Sequence, residues 1–193
     1  MIRKFPVLAI LLFATACIVP PPATVQPDER IEIGFYSVAP QVEWNRAIYF
    51  PGEFWTVDGY GLQALRFFEV PDGQALEQKR SAFGKPLPPD EKTPIFRKAM
   101  TPNEVQEFFV ESLASDGWTN IKTAALTPAR FGGLPGFRFS FGMVDNDGLE
   151  FDGMTIGVVR DDTLHFIVYA GTRLHYFPKH RKDVEKLFAS IRT

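Results

Sequence analysis

Gly136-Phe137-Arg138-Phe139-Ser140-Phe141-Gly142 alternates aromatic with polar side chains, and a period of two sends successive residues to opposite faces of a β-strand. Three Phe on one face demand cover; Arg138 and Ser140 on the other do not. Downstream, Leu164, Phe166 and Val168 alternate in the same way with His165, Ile167 and Tyr169. Between these runs, Leu149 to Val159 carries apolar residues at both parities, the pattern of a central strand covered on both faces. Asp145-Asn146-Asp147-Gly148 and Asp161-Asp162 separate the runs as hairpin turns, and Thr119 to Arg130 reads as a further strand. The expectation is an antiparallel meander of four strands.

Working outward, two amphipathic helices flank the meander. Thr101 is placed to cap the first, with Pro102 at its first position and Glu104 completing a capping box. Val105, Phe108, Phe109 and Leu113 then form one apolar stripe, and Gly117 ends the helix. The second starts near Pro178 and puts Val184, Leu187, Phe188 and Ile191 on one face. Upstream, Gln41 to Phe50 reads as a short or edge strand confined by Pro40 and Pro51. Gly59 to Val70 reads as a strand closed by the turn Pro71-Asp72-Gly73, and Ser81 to Pro94 as a loop. The fold class expected is α+β, an antiparallel sheet with packed amphipathic helices. This order of elements, with the tail Phe188-Ala189-Ser190-Ile191, resembles the Mog1/PsbP-like α/β/α sandwich over roughly residues 32 to 193. That resemblance implies a binding or assembly accessory.

The N-terminus gives an address. Arg3 and Lys4 precede about a dozen apolar residues, too few to span a bilayer, and small residues lead to Cys17, the only cysteine. Ala14-Thr15-Ala16-Cys17 resembles the lipobox of bacterial lipoproteins, with Ala14 where Leu is usual. The resemblance implies cleavage before Cys17, acylation of its sulfur and a partnership with the lipid bilayer. Two or more acyl chains hold a protein where one does not. Ile18, in place of an Asp that resembles an inner-membrane retention signal, points to the outer membrane, with the domain facing the periplasm. The organisation expected is a signal peptide over 1–16, a Pro-rich tether over 17–30 and one domain over 31–193. With Cys17 acylated no disulfide can form, so stability rests on the core.

Losing Arg3 and Lys4 takes the basic residues from 21 to 19 against 23 acidic, a net charge of −4. No polybasic footprint remains, which argues against nucleic acid as a partner. Envelope proteins are the partners expected.

Three chemical readings compete. A hydrolase would use His165 as base beside a serine, but no G-x-S-x-G elbow exists and Ser140 sits in mid-strand. A calcium module would use Asp145, Asp147, Glu150 and Asp152, whose spacing lacks the terminal bidentate Glu of a calcium loop. His175 and His180, five apart with Pro178 between, read as exposed histidines at a helix start rather than zinc ligands. The sequence therefore assigns no catalytic residue, no metal site and no cofactor. Gly132-Gly133-Leu134-Pro135-Gly136 leads into a strand and reads as a turn rather than a phosphate cradle. The third reading is a binding face: Arg138, Ser140, His165 and Tyr169 share the parity opposite the Phe stripe and would gather on one surface. Trp44, Trp55, Tyr60 and Trp118 read as core members, with sugar stacking as the alternative.

Overall fold

The computed structural model describes residues 23–49, 52–77, 87 and 89–193; Cys17, the signal peptide and nearly all of the Ser81 to Pro94 loop's first half lie outside them. Among the described residues ten strands and two helices follow in chain order: β1 (Ala23–Val25), β2 (Ile31–Ile33), β3 (Tyr36–Val38), β4 (Trp44–Tyr49), β5 (Gly52–Thr56), β6 (Gln63–Pro71), α1 (Pro102–Ser115), β7 (Thr119–Phe131), β8 (Leu134–Val144), β9 (Glu150–Arg160), β10 (Thr163–Thr172) and α2 (Tyr176–Ala189). Eight form one sheet in the order β1-β4-β5-β6-β10-β9-β8-β7, every pairing antiparallel; β2 and β3 make a separate hairpin.

The meander forms in the register its alternation requires. Phe137, Phe139 and Phe141 of β8 face Gly157, Thr155 and Gly153 of β9. Those partners are small for a reason: a Cβ on Gly153 would lie 2.1 Å from the ring of Phe141, and one on Gly157 2.9 Å from Phe137. The Phe side chains lean into that space and under α1, where the Phe109 ring meets Phe141 edge-on at 4.9 Å and Phe166 at 5.4 Å. The capping box of α1 is present, with the Thr101 N–H donating to Glu104 Oε2 at 2.7 Å. Gly117, at φ +93, lets the chain leave the helix, and the Trp118 N–H reaches back to the carbonyl of Leu113. At Asp161-Asp162 both residues have positive φ, the signature of a tight hairpin turn.

Each helix covers one face. Val105, Phe108 and Phe109 of α1 join Phe68, Phe96, the β8 Phe ladder, Phe151 and Phe166 in one core. Val184, Leu187 and Phe188 of α2 join Trp44, Trp55, Leu65, Phe67, Ile156, Ile167 and Tyr169 in the other.

Several expectations change at the N-terminal end. The tether does not run to Arg30, because β1 pairs with β4 at the sheet edge and Val25 is buried in the α2-side core. The edge position falls to β1, leaving β4 between β1 and β5. Both β5 and the β2–β3 hairpin escape a reading by alternation. They are strands of three to five residues, too short to display a period. The hairpin is fixed from afar: Ser37 and Arg192 exchange backbone hydrogen bonds, and the Ala39 N–H donates to the Ser190 hydroxyl at 2.8 Å.

Candidate functional site

Strand register puts Arg138 and Ser140 of β8 and His165 and Tyr169 of β10 on the same sheet face, with β9 between them. The tertiary structure then divides them. His165 is 8 % exposed, its ring lies 4.3 Å from that of Phe35 at the hairpin tip, and its Nδ1 has no hydrogen-bond partner among the described residues. Burial first, then the neighbouring Arg160, lowers its pKa to about 4, while Asp161 acts weakly in the other direction. Tyr169 is fully buried; its hydroxyl donates to the carbonyl of Tyr176 at 2.8 Å and its ring stacks on Phe177. Burial raises its pKa, helped by Asp58 and Asp183.

Arg138 and Ser140 stay open. They lie in a groove of about 540 Å³ beside α2, with Lys122, Arg173, Arg181 and Glu185. The four residues read as one face are therefore two buried supports and two groove residues. Ser140 donates to the carbonyl of Ala124 at 3.3 Å, and Met154 of β9 stands between it and Tyr169. The pairing a hydrolase would need, a serine beside His165, is not formed by Ser140.

The acids of the β8–β9 tip have other partners. Asp145 Oδ1 accepts from the N–H groups of Asp147 and Leu149, and Glu150 and Asp152 both bind Arg173 at 2.9 Å. Among the described residues no group of three His, Cys, Asp or Glu is placed to hold a metal. His180 corrects the sequence reading outright: it is buried, and its Nε2 lies 2.6 Å from Asp58 Oδ2, while His175 is exposed as expected. Burial alone would raise the Asp58 pKa, but hydrogen bonds from Lys179 and His180 outweigh it and hold the carboxyl below its usual range.

A second concavity lies on the other face. Between the C-terminal half of α1 and the ends of β6, β8, β9 and β10 is a cleft of about 330 Å³. Phe109, Leu113, Trp118, Phe141, Met143 and Phe151 supply much of its wall. Tyr60, Gly61 and Asp145 stand at one end, and the ion-paired Arg66 and Glu77 along one side. A few polar groups around an apolar, aromatic wall of this volume are the usual make-up of a ligand site. Sequence reasoning missed it, although the signal was there. Of the four aromatics singled out, Trp44 and Trp55 are buried core members, but Trp118 is half-buried and Tyr60 is 56 % exposed. Both of the latter line the cleft.

No protein-family model and no curated protein matches the chain. Among solved structures, a Bacteroides thetaiotaomicron protein is similar at TM-score 0.48 and 9 % identity, over 88 % of this chain and 49 % of its own. A Pseudomonas aeruginosa protein of unknown function, described as a putative regulator, is similar at TM-score 0.38 and 12 % identity, over 74 % of this chain and 92 % of its own. Both are too distant to support an argument. The solution structure of cyanobacterial PsbP from Synechocystis is similar at TM-score 0.58 with 8 % identity, covering 94 % of this chain and 98 % of that one. At that identity the likeness concerns the fold alone: this chain has an α+β, PsbP-like fold built on an antiparallel sheet.

Proposed function

We propose that the chain is an exported, lipid-anchored accessory of the bacterial envelope that binds without catalysing, taking an apolar group of its partner into the cleft between α1 and the sheet. The finer architecture we read is the α/β/α sandwich of Mog1/PsbP-like proteins, with one helix on each face. The observation that carries the binding role is the aromatic-walled cleft, open at one end beside an exposed Tyr60. The anchor rests on Ala14-Thr15-Ala16-Cys17, and outer-membrane placement on Ile18.

Two measurements test the two halves. Intact mass of natively produced protein should give a chain beginning at Cys17 with added acyl mass; a chain retaining Met1, or trimmed but without acyl mass, overturns the anchor. For the cleft, the neutral probe N-phenyl-1-naphthylamine should brighten on binding and take up Trp118 emission. Ala170→Phe, which fills the cleft from its sheet side, should abolish both effects while circular dichroism stays native. A probe that does not bind, or binds Ala170→Phe equally well, overturns the binding role.

A further inference from the structure

Three loops meet at the end of the molecule where the cleft opens, and backbone hydrogen bonds join them. The Thr172 N–H donates to the carbonyl of Leu62 and the Arg173 N–H to that of Glu150, while the Asp145 N–H closes the β8–β9 turn on the carbonyl of Leu149. Each loop carries an exposed apolar side chain: Tyr60, Leu149 (44 % exposed) and Leu174 (92 % exposed). Few large apolar residues are so exposed anywhere among the described residues, and three of them share this end. Exposed apolar side chains gathered at the end of the molecule where an apolar cleft opens are the make-up of an interaction surface.

The balance of charge around it is negative. Arg173 is shared by Glu150 and Asp152, and Lys179 is paired with Asp58. Asp145, at the cleft, and the exposed Asp147 beside it form no ion pair among the described residues. An anionic rim disfavours an anionic membrane surface and favours a cationic partner.

We infer that this end captures a protein segment in which apolar anchor side chains are flanked by Lys or Arg, the anchor entering the cleft and the cations meeting Asp145 and Asp147. This rests on the binding role proposed for the cleft. The test uses the full mature chain with Cys17→Ser, which avoids detergent. It compares a synthetic peptide with a Trp-Leu centre flanked by lysines, its glutamate-flanked twin, and vesicles containing phosphatidylglycerol. The lysine peptide should displace N-phenyl-1-naphthylamine and bind about tenfold more tightly than its twin at low salt, with the gap closing as salt is added. Asp145→Asn with Asp147→Asn should cut the preference to about twofold, and Asp147→Asn alone, at a position outside the cleft lining, should cut it in part and leave probe binding unchanged. The asparagine carbonyl at 145 can still accept the two amides that Asp145 Oδ1 now accepts. Equal binding of the two peptides, or tighter capture by the vesicles, overturns this inference while the cleft stands. Failure of the probe itself to bind overturns the cleft.

Discussion

His165 shows how little a residue type says before its surroundings are known. On sequence it is a candidate base on an open face. In the fold it is a buried neutral imidazole, edge-on to Phe35, with Glu69 Oε1 3.7 Å away and the Arg160 guanidinium lying over the ring of that same Phe35. Its ionisation has a direct consequence for stability. The unfolded chain takes up a proton near pH 6.5, whereas folded His165 does so only near 4. Between those values the unfolded state binds more protons, so stability is full above pH 6.5 and falls as pH drops through the window. The loss should approach about 3 kcal/mol by pH 4. Urea melts between pH 7 and 4 check it: His165→Gln should flatten the dependence in this window. A wild-type curve that is flat there contradicts the burial assigned to the ring. Asp58 adds to acid sensitivity only lower down, below its ordinary pKa, because its folded value is depressed.

At the scale of elements, β9 decides how closely the two layers approach. Its α1-side positions read Gly153, Thr155 and Gly157, and the β8 Phe ladder occupies the room that two missing side chains leave. Gly153→Ala puts a methyl into the ring of Phe141, which packs on Phe109 and also lines the cleft. The expected cost is about 1–3 kcal/mol, typical of overpacking, read as a lower urea midpoint with an unchanged slope. An unaltered midpoint would show the ladder to be loosely packed. Helix α1 is the opposite case. Thr101, Pro102, Glu104 and Gly117 carry start and stop signals that act within a few residues, and the helix follows them.

The whole molecule is closed by contacts between its two ends. The hairpin over His165 is held through Ser37 and Arg192 and through Ala39 and Ser190; Ile191 is buried in the α2-side core, and the Thr193 hydroxyl donates to the carbonyl of Gly132. Removing residues 191–193 should therefore destabilise far more than three terminal residues ordinarily do. About 2–4 kcal/mol is expected from the exposed Ile191 pocket and the lost bridge together. Hydrogen exchange should quicken first at the Ser37 amide and then across β2 and β3, while the amides of α1 lose protection only by the global change. Uniform quickening would mean that the hairpin is not a separately anchored part.

The sequence by itself determined the elements whose signals are local. The Phe137–Phe141 alternation, the Asp-rich turns and the Thr101 box needed no information from elsewhere, and the four-strand meander, both helices and their apolar faces followed. It also put Arg138, Ser140, His165 and Tyr169 on one face, since parity along paired strands decides that. What covers each face was left to tertiary structure. Phe35 over His165, Asp58 against His180 and the cleft ringed by Tyr60 and Trp118 all join residues from segments far apart in the chain. The physical reason is that periodicity reports which way a side chain points, whereas burial depends on what arrives above it. Here two buried supports and two groove residues come from one stripe because α2 and a three-residue-stranded hairpin reach only part of the sheet.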